Sequence, residues 1–372
     1  MEILVKTLEG LEPALEQEIK NLGFEEATVL NRAVLFEGDI KDMYRANYEL
    51  RTALRVLLPI HKFEAINEHM FYRKMQEINW SEYFNVNQRF AVYSVVSSQY
   101  FTHSKYMALK AKDAIVDQFR DKYGKRPDVS TYNPDVEVNI HIFENKCTIS
   151  LDSTGESLHK RDYKVASVEA PLSEVLASGI LLSSGFETAK IFHDPMCGSG
   201  TFISEAFMIH CNIPPGKFRQ EYAFMKWKNF RQSVWDAVKE NADAKICGPT
   251  TIQFYGSDIN RQNMFSARKN LYQLPFGDQV QFSKKDFLKE SLNPRPDFLI
   301  MNPPYDIRLK SDDIDEFYYQ IGMRLKQDYS GARVCVFSGN LEAMHKIGLK
   351  ANVKLNLMNG AIPSVLHCYD IK

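Results

Sequence analysis

Along the first half of the chain, apolar positions switch back and forth between strand and helix periods. Ile3-Leu4-Val5 is strand-like, and Leu11, Leu15, Ile19 and Leu22 then recur at helical spacing until Gly23 ends the helix. Ala27–Leu30 and Ala33–Phe36 read as a hairpin across Asn31-Arg32, with a helix near Ile40–Leu50 after it. Leu54–Phe63 is apolar and β-branched and leads to a helix near Glu68–Ile78. Residues 88–97 alternate like a strand. Tyr106–Tyr123 follows as a helix with Ala108, Ala111, Ile115, Val116 and Phe119 on its apolar side. Val136–Ile142 alternates strictly, turns at Phe143–Lys146, and continues as a strand over Cys147–Asp152. These segments predict small α+β units.

The second half has a different rhythm. Ser153–Ala170 is polar and marks a domain boundary. Pro171–Ser184 carries Leu172, Val175, Leu176, Ile180 and Leu181 at helical spacing. Short apolar strands then alternate with helices: Ile191–Asp194, Ile252–Asp258, Val280–Phe282, Asp297–Met301 and Arg333–Phe337. Helices are predicted after the first strand, around Ala267–Asn270, over Asp312–Tyr329 and over Leu341–Leu349. Val353–Leu357 and Val365–Tyr369, joined through Asn359-Gly360, form a closing hairpin. Repeated strand–helix units imply a doubly wound parallel sheet, and the hairpin adds an antiparallel strand near one edge. Asn212–Ala244 interrupts this rhythm with an aromatic and basic insertion, whose Trp227, Phe230 and Trp235 suit packing better than recognition.

Composition narrows the class without naming it. The 372 residues are 44% hydrophobic and 25% charged, and the formal net charge is −1. The length fits two to three domains. A near-neutral chain has no bulk positive field, so any nucleic-acid contact must come from local patches. One candidate is the stretch 101–130, with seven Lys/Arg against four acids, although a solvated helix face explains it as well. No signal-peptide or membrane-spanning pattern is present, which points to a cytoplasmic protein. The six cysteines have no zinc-like spacing and read as reduced thiols, so no metal is expected.

The chemistry gathers at the predicted strand ends. Asp297–Met301 runs into Asn302-Pro303-Pro304-Tyr305, and the two prolines stop the strand because neither donates a backbone N–H. In open α/β sheets ligands bind beyond the carboxyl ends of strands. A carboxamide oxygen, a carbonyl before a proline and an aromatic face together suit a planar amino group on a base. Such a segment can also be a plain loop, because Asn-Pro and Pro-Pro are common turn signals. A second motif adds weight: Ile191–Asp194 leads through Pro195-Met196-Cys197-Gly198-Ser199-Gly200-Thr201 into a helix. Glycines there permit close backbone approach, and the helix start presents free N–H groups. The spacing matches neither a dinucleotide fingerprint nor a P-loop. Asp258 and Asp286 stand at the ends of the next two strands, and a carboxylate after strand two commonly holds ribose hydroxyls.

Taken in order, DPMCGSGT, GSDIN, KKDFL and MNPPY resemble the class I S-adenosylmethionine-dependent methyltransferases that modify exocyclic amines. LVKTLEGLEPALEQEIKNLGF, and SLHKRDYK leading to APLSEVLASGIL, resemble the THUMP-domain RNA methyltransferases, most closely the bacterial 23S ribosomal RNA guanine-N2 group. The resemblance covers essentially the whole chain. It implies an N-terminal ferredoxin-like domain (1–52) and a THUMP domain (53–155), both RNA-binding and α+β. A Rossmann-like class I methyltransferase domain (156–372) with the closing antiparallel hairpin follows. It implies catalytic roles for Asn302, Pro303, Pro304 and Tyr305. Cofactor contacts are implied from Asp194, Pro195, Cys197, Gly198, Ser199, Gly200, Thr201, Asp258, Ile259, Asp286, Phe287 and Asn302. RNA contacts are implied from His159, Lys160, Arg161, Tyr163 and Arg308. The implied partners are 23S ribosomal RNA and ribosomal assembly intermediates, with only the N2 activity expected.

Two departures stand out. Relatives commonly place a glycine after the LHKR run, where this chain has Asp162. They also commonly continue NPPY with Gly-Glu-Arg, where this chain has Asp306-Ile307-Arg308. Two alternatives stay open: a tRNA guanine-N2 or adenine-N6 methyltransferase, and a non-catalytic RNA-binding assembly factor.

Overall fold

The computed structural model describes residues 1–166, 172–305 and 311–372, with residues 311 and 312 described in backbone only. Two sheets organise the chain. The first has eight strands in the order β2-β3-β1-β4-β8-β7-β5-β6. Its N-terminal part is β1 (Glu2–Lys6), α1 (Glu12–Asn21), β2 (Ala27–Leu30), β3 (Ala33–Glu37), α2 (Ile40–Glu49) and β4 (Arg55–Glu64). Next come α3 (Glu68–Glu77), β5 (Arg89–Ser97), α4 (Ser104–Tyr123), β6 (Asp128–Val129), β7 (Val136–Phe143) and β8 (Lys146–Asp152). Local chemistry sets several of these boundaries. Arg32 takes a positive φ of 54° in the β2–β3 turn. Asp39 and Asp42 form a reciprocal capping box that starts α2. Gly124, at φ 66°, closes α4.

The sheet crosses the expected boundary at residue 52 without a break. The ten-residue β4 pairs with β1 on one edge and with β8 on the other, so the two expected N-terminal units share one sheet. The strict alternation of β7 buries Val136, Val138, Ile140 and Ile142 against the helices.

The second sheet follows α5 (Glu174–Leu182). Its elements are β9 (Ile191–Asp194), α6 (Thr201–His210), α7 (Gln232–Asp243), β10 (Gln253–Asp258), α8 (Arg261–Leu271), β11 (Gln281–Lys284) and β12 (Phe298–Met301). They continue with α9 (Ser311–Asp328), β13 (Arg333–Ser338), α10 (Leu341–Lys346), β14 (Val353–Asn359) and β15 (Ile362–Asp370). The strand order is β11-β10-β9-β12-β13-β15-β14, parallel from β11 to β13, with β15 antiparallel to β13. This is the expected doubly wound sheet with its closing hairpin. All four residues of β12 are buried, as a central parallel strand requires. The order reverses between β9 and β12, so a crevice opens at their carboxyl ends.

The insertion 212–244 leaves the second sheet, and its Tyr222, Phe224, Trp227 and Trp235 pack into the core of the N-terminal region. Trp235 lies edge-on to Tyr44, Tyr48, Tyr222 and Phe224. Asp243 accepts a hydrogen bond from the Tyr48 hydroxyl at 2.9 Å. A tight contact joins the halves elsewhere, where a Cβ on Gly179 would stand 2.5 Å from Leu11.

One expectation is corrected here. Cys335 on β13 and Cys368 on β15 are cross-strand partners joined as a disulfide, with Cα atoms 4.1 Å apart. The other four cysteines are free thiols. The two halves of that pair stand 33 residues apart, so only the strand register reveals it. No described helix is long and apolar enough to cross a membrane.

Candidate active site

A cavity of about 1200 Å³ opens at the carboxyl ends of β9, β10, β11, β12 and β13. Small-molecule sites run to roughly 300–1000 Å³, so this one has room for a cofactor and part of a second ligand. Asp194, Pro195, Cys197, Gly198, Ser199 and Thr201 line it from the first strand end. Asp258, Ile259, Asp286 and Phe287 line it from the next two, and Asn302, Pro303, Pro304 and Tyr305 from the fourth. Of the residues predicted for the cofactor, Gly200 alone stands behind the wall. It has φ 81° at the start of α6, and a Cβ there would lie 2.9 Å from that of Ala267. Its part is to let the turn close against α8.

The turn is held by carboxylates. Asp258 Oδ2 accepts the Gly198 N–H at 2.9 Å, and its Oδ1 accepts from Asn260 N at 2.8 Å and Asn263 Nδ2 at 3.2 Å. Asp194 Oδ1 accepts from Met196 N at 3.2 Å. Burial pushes the Asp194 carboxyl well above its ordinary range, and the charge on Asp258 adds to the rise. Burial likewise raises the Cys197 thiol, with Asp194 and Asp258 contributing. Two carboxyl groups therefore meet at the floor of the cavity, and a cationic ligand there would offset the burial and favour the ionised form of Asp194. A Cβ on Gly198 would meet nothing within 4 Å, so the turn faces open space. Replacing Asp258 with alanine is expected to weaken cofactor binding about 10- to 100-fold, the scale for losing hydrogen bonds to a charged group. Titration calorimetry reads this directly, and unchanged affinity would remove Asp258 from the site.

At the fourth strand end, Asn302 Oδ1 is buried with no hydrogen-bond partner among the described residues. An unpaired buried acceptor costs roughly 1–3 kcal/mol, which an arriving N–H donor would recover. Tyr305 is half-buried, and burial pushes its phenol up to about 12 against opposing contacts from Asn359 and Asn302. Gly339, Asn340, Asn359 and Ile362 complete this end of the cavity, and the sequence reading did not select them. Ser338-Gly339-Asn340 could have been found, because it follows the fifth strand as the other motifs follow theirs. Nothing local marks Asn359.

The SLHKRDYK run is corrected in part. Arg161 is buried and ion-pairs with Glu205 at 3.6 Å, and its Nη2 donates to the Arg51 carbonyl at 2.6 Å. Tyr163 is also buried and donates to Glu205 at 3.0 Å. Arg161 thereby ties the two halves of the protein together, and both side chains are buried away from any RNA surface. His159 is half-buried beside Ser157, and Lys160 is exposed and paired with Glu156. Lys164 donates to Glu174 and Thr201, both at 2.9 Å, beside the glycine turn. Arg308 lies outside the described residues.

Asp162 has φ 63°, the left-handed region that favours glycine. That conformation gives a physical reason for the glycine common in relatives. Asp162→Gly is expected to stabilise the protein by about 0.5–1 kcal/mol, read as a small rise in denaturation midpoint, and a fall would contradict the strain.

Comparison with known proteins adds identity to this geometry. Residues 161–367 match the RMKL-like methyltransferase domain family, residues 65–152 the THUMP domain, and residues 2–57 the RlmL ferredoxin-like domain. A Synechocystis protein named as a candidate RNA methyltransferase is 37% identical over 363 residues, covering 97% of this chain and 94% of its own length. The ribosomal RNA large subunit methyltransferase K/L of Psychromonas ingrahamii is 35% identical over 374 residues, and the match covers 99% of this chain but only 50% of that protein. Among solved structures, SMU.472, a candidate methyltransferase complexed with SAH, aligns with TM-score 0.88 and 27% identity over 100% of this chain and 98% of its own.

Proposed function

This chain belongs to the RMKL-like methyltransferase family, and we propose that it methylates the exocyclic N2 amine of a guanine in 23S ribosomal RNA. It is an S-adenosylmethionine-dependent RNA methyltransferase, in keeping with its THUMP domain, its relatives and the SAH held by a close structural counterpart. The residues present fit the cofactor. Its positive charge would relieve the burial of the paired carboxyl groups of Asp194 and Asp258, and the open glycine turn leaves space for its methionine portion. Asp258 would hold the ribose, and Asp286 the adenine amino group. When bound, the cofactor supplies an electrophilic methyl group.

The unpartnered Asn302 Oδ1 carries the reading of the reaction. A guanine amine is a weak nucleophile because its lone pair is delocalised into the ring. Asn302 Oδ1 and the Pro303 carbonyl accept its two hydrogens and turn the lone pair towards the cofactor. Tyr305 stacks on the base and fixes its plane. Such orientation can lower a barrier by about 7–11 kcal/mol in the best cases. No strong base is needed before transfer, because the charged product amine loses its proton afterwards. The guanine-N2 and 23S assignments draw on the sequence resemblance and on the K/L relative, of which this chain spans half.

Transcripts of 23S RNA and of tRNA, assayed side by side, test the substrate. Methyl transfer to the 23S transcript or its precursor particle supports the proposal, and transfer confined to tRNA overturns it.

A further inference from the structure

Tyr305 is gripped from several sides by residues that no motif contains. Its main-chain carbonyl accepts from Asn340 Nδ2 at 3.1 Å. The orientation of that amide is fixed, because Asn340 Oδ1 caps α10 by accepting from Ala343 N at 2.9 Å. The opposite end of Tyr305, its hydroxyl, accepts from Asn359 Nδ2 at 3.3 Å. Gly339 passes so close to the ring that a Cβ there would lie 2.9 Å from Tyr305 Cδ2 and 3.0 Å from Cε2. The residue before is held as well: the Tyr318 hydroxyl lies 3.2 Å from the Pro304 carbonyl and 2.7 Å from Ser338 Oγ.

We infer that Asn359 is a positioning residue that anchors the far end of the Tyr305 ring, completing a clamp whose other arm is Asn340. The inference rests on the reading of Tyr305 as the ring that stacks on the target base. A tyrosine held only at its backbone can still turn about two side-chain torsions, and a stacked base would turn with it. Productive geometry tolerates only about 10–20° of such error. A hydrogen bond at the far end of the ring fixes the direction of its long axis, and the close pass of Gly339 against one ring edge limits rotation about that axis. Asn359 is the last residue of β14, immediately before Gly360 at φ 62°, and it pairs with Ile362 across the two-residue turn. The closing hairpin therefore delivers an amide to the active site 54 residues beyond Tyr305. This gives the hairpin a part in the reaction besides completing the sheet.

The test compares Asn359→Ala, Tyr305→Phe and their combination in the full-length protein, using methyl transfer to the RNA substrate and cofactor affinity by calorimetry. Each single variant is expected to lower kcat about 2- to 13-fold, the scale of one hydrogen bond, with cofactor affinity and KM for RNA unchanged. The double variant is expected to be no slower than Tyr305→Phe alone, because that substitution already removes the contact Asn359 makes. Losses that multiply in the double variant overturn the clamp, as does a fall in cofactor affinity that accompanies the loss of kcat. Tyr305→Phe removes no packed volume, so it serves even if Asn359→Ala fails to fold, and full activity in it overturns the clamp by itself. Tyr305→Ala separates the two readings. Its inactivity beside uncoupled single variants refutes only the clamp, whereas its full activity refutes base stacking.

Discussion

Asn302→Ala is expected to lower kcat for methyl transfer by about 10²–10³-fold, with cofactor affinity unchanged within about twofold. The magnitude follows from other sites in which a single preorganised polar contact to a reacting group is removed. The side-chain oxygen of Asn302 is buried and without a partner among the described residues, an acceptor available to an arriving N–H donor. Alanine removes the acceptor and leaves the glycine turn and the Asp258 contacts intact. Single-turnover kinetics beside calorimetry separates the two quantities. Equal loss of turnover and cofactor affinity would place Asn302 in cofactor binding instead.

Arg161→Met is expected to destabilise the protein by about 3–5 kcal/mol, the cost of leaving a buried charge without its partner. Glu205 is fully buried and, among the described residues, would keep the hydroxyls of Tyr163, at 3.0 Å, and Ser178, at 2.6 Å. The Arg51 carbonyl would lose its donor at the same time. Denaturant unfolding measures the loss. RNA affinity supplies the discriminating readout, because a lysine or arginine on phosphate adds to the salt slope of binding. The slope is expected to stay unchanged in Arg161→Met. A slope reduced by about one, with stability intact, would return Arg161 to the RNA surface.

Legibility in the sequence followed the range of the interactions. Strand ends were readable because apolar runs stop at residues with distinct local chemistry. Asp194, Asp258, Asp286 and Asn302 all line one cavity, since a parallel sheet brings its carboxyl ends together. Contacts set by tertiary partners were not readable. Arg161 and Tyr163 sit in a cationic, aromatic run that resembles a nucleic-acid contact, and only Glu205, more than 40 residues on, turns them inward. Cys335 and Cys368 pair because β13 and β15 align in one register. Asn359 reaches Tyr305 through the same hairpin, and its sequence surroundings announce only a turn. The insertion's aromatic residues showed their packing character early, but not that their core lies in the other half of the protein.

The most direct test of the central claim is transfer of labelled methyl from S-adenosylmethionine to total RNA from a strain lacking this protein, with nucleoside analysis of the size-separated RNAs. N2-methylguanosine in the large ribosomal RNA is the predicted result. N6-methyladenosine as the labelled nucleoside, or no transfer to any RNA, would contradict it.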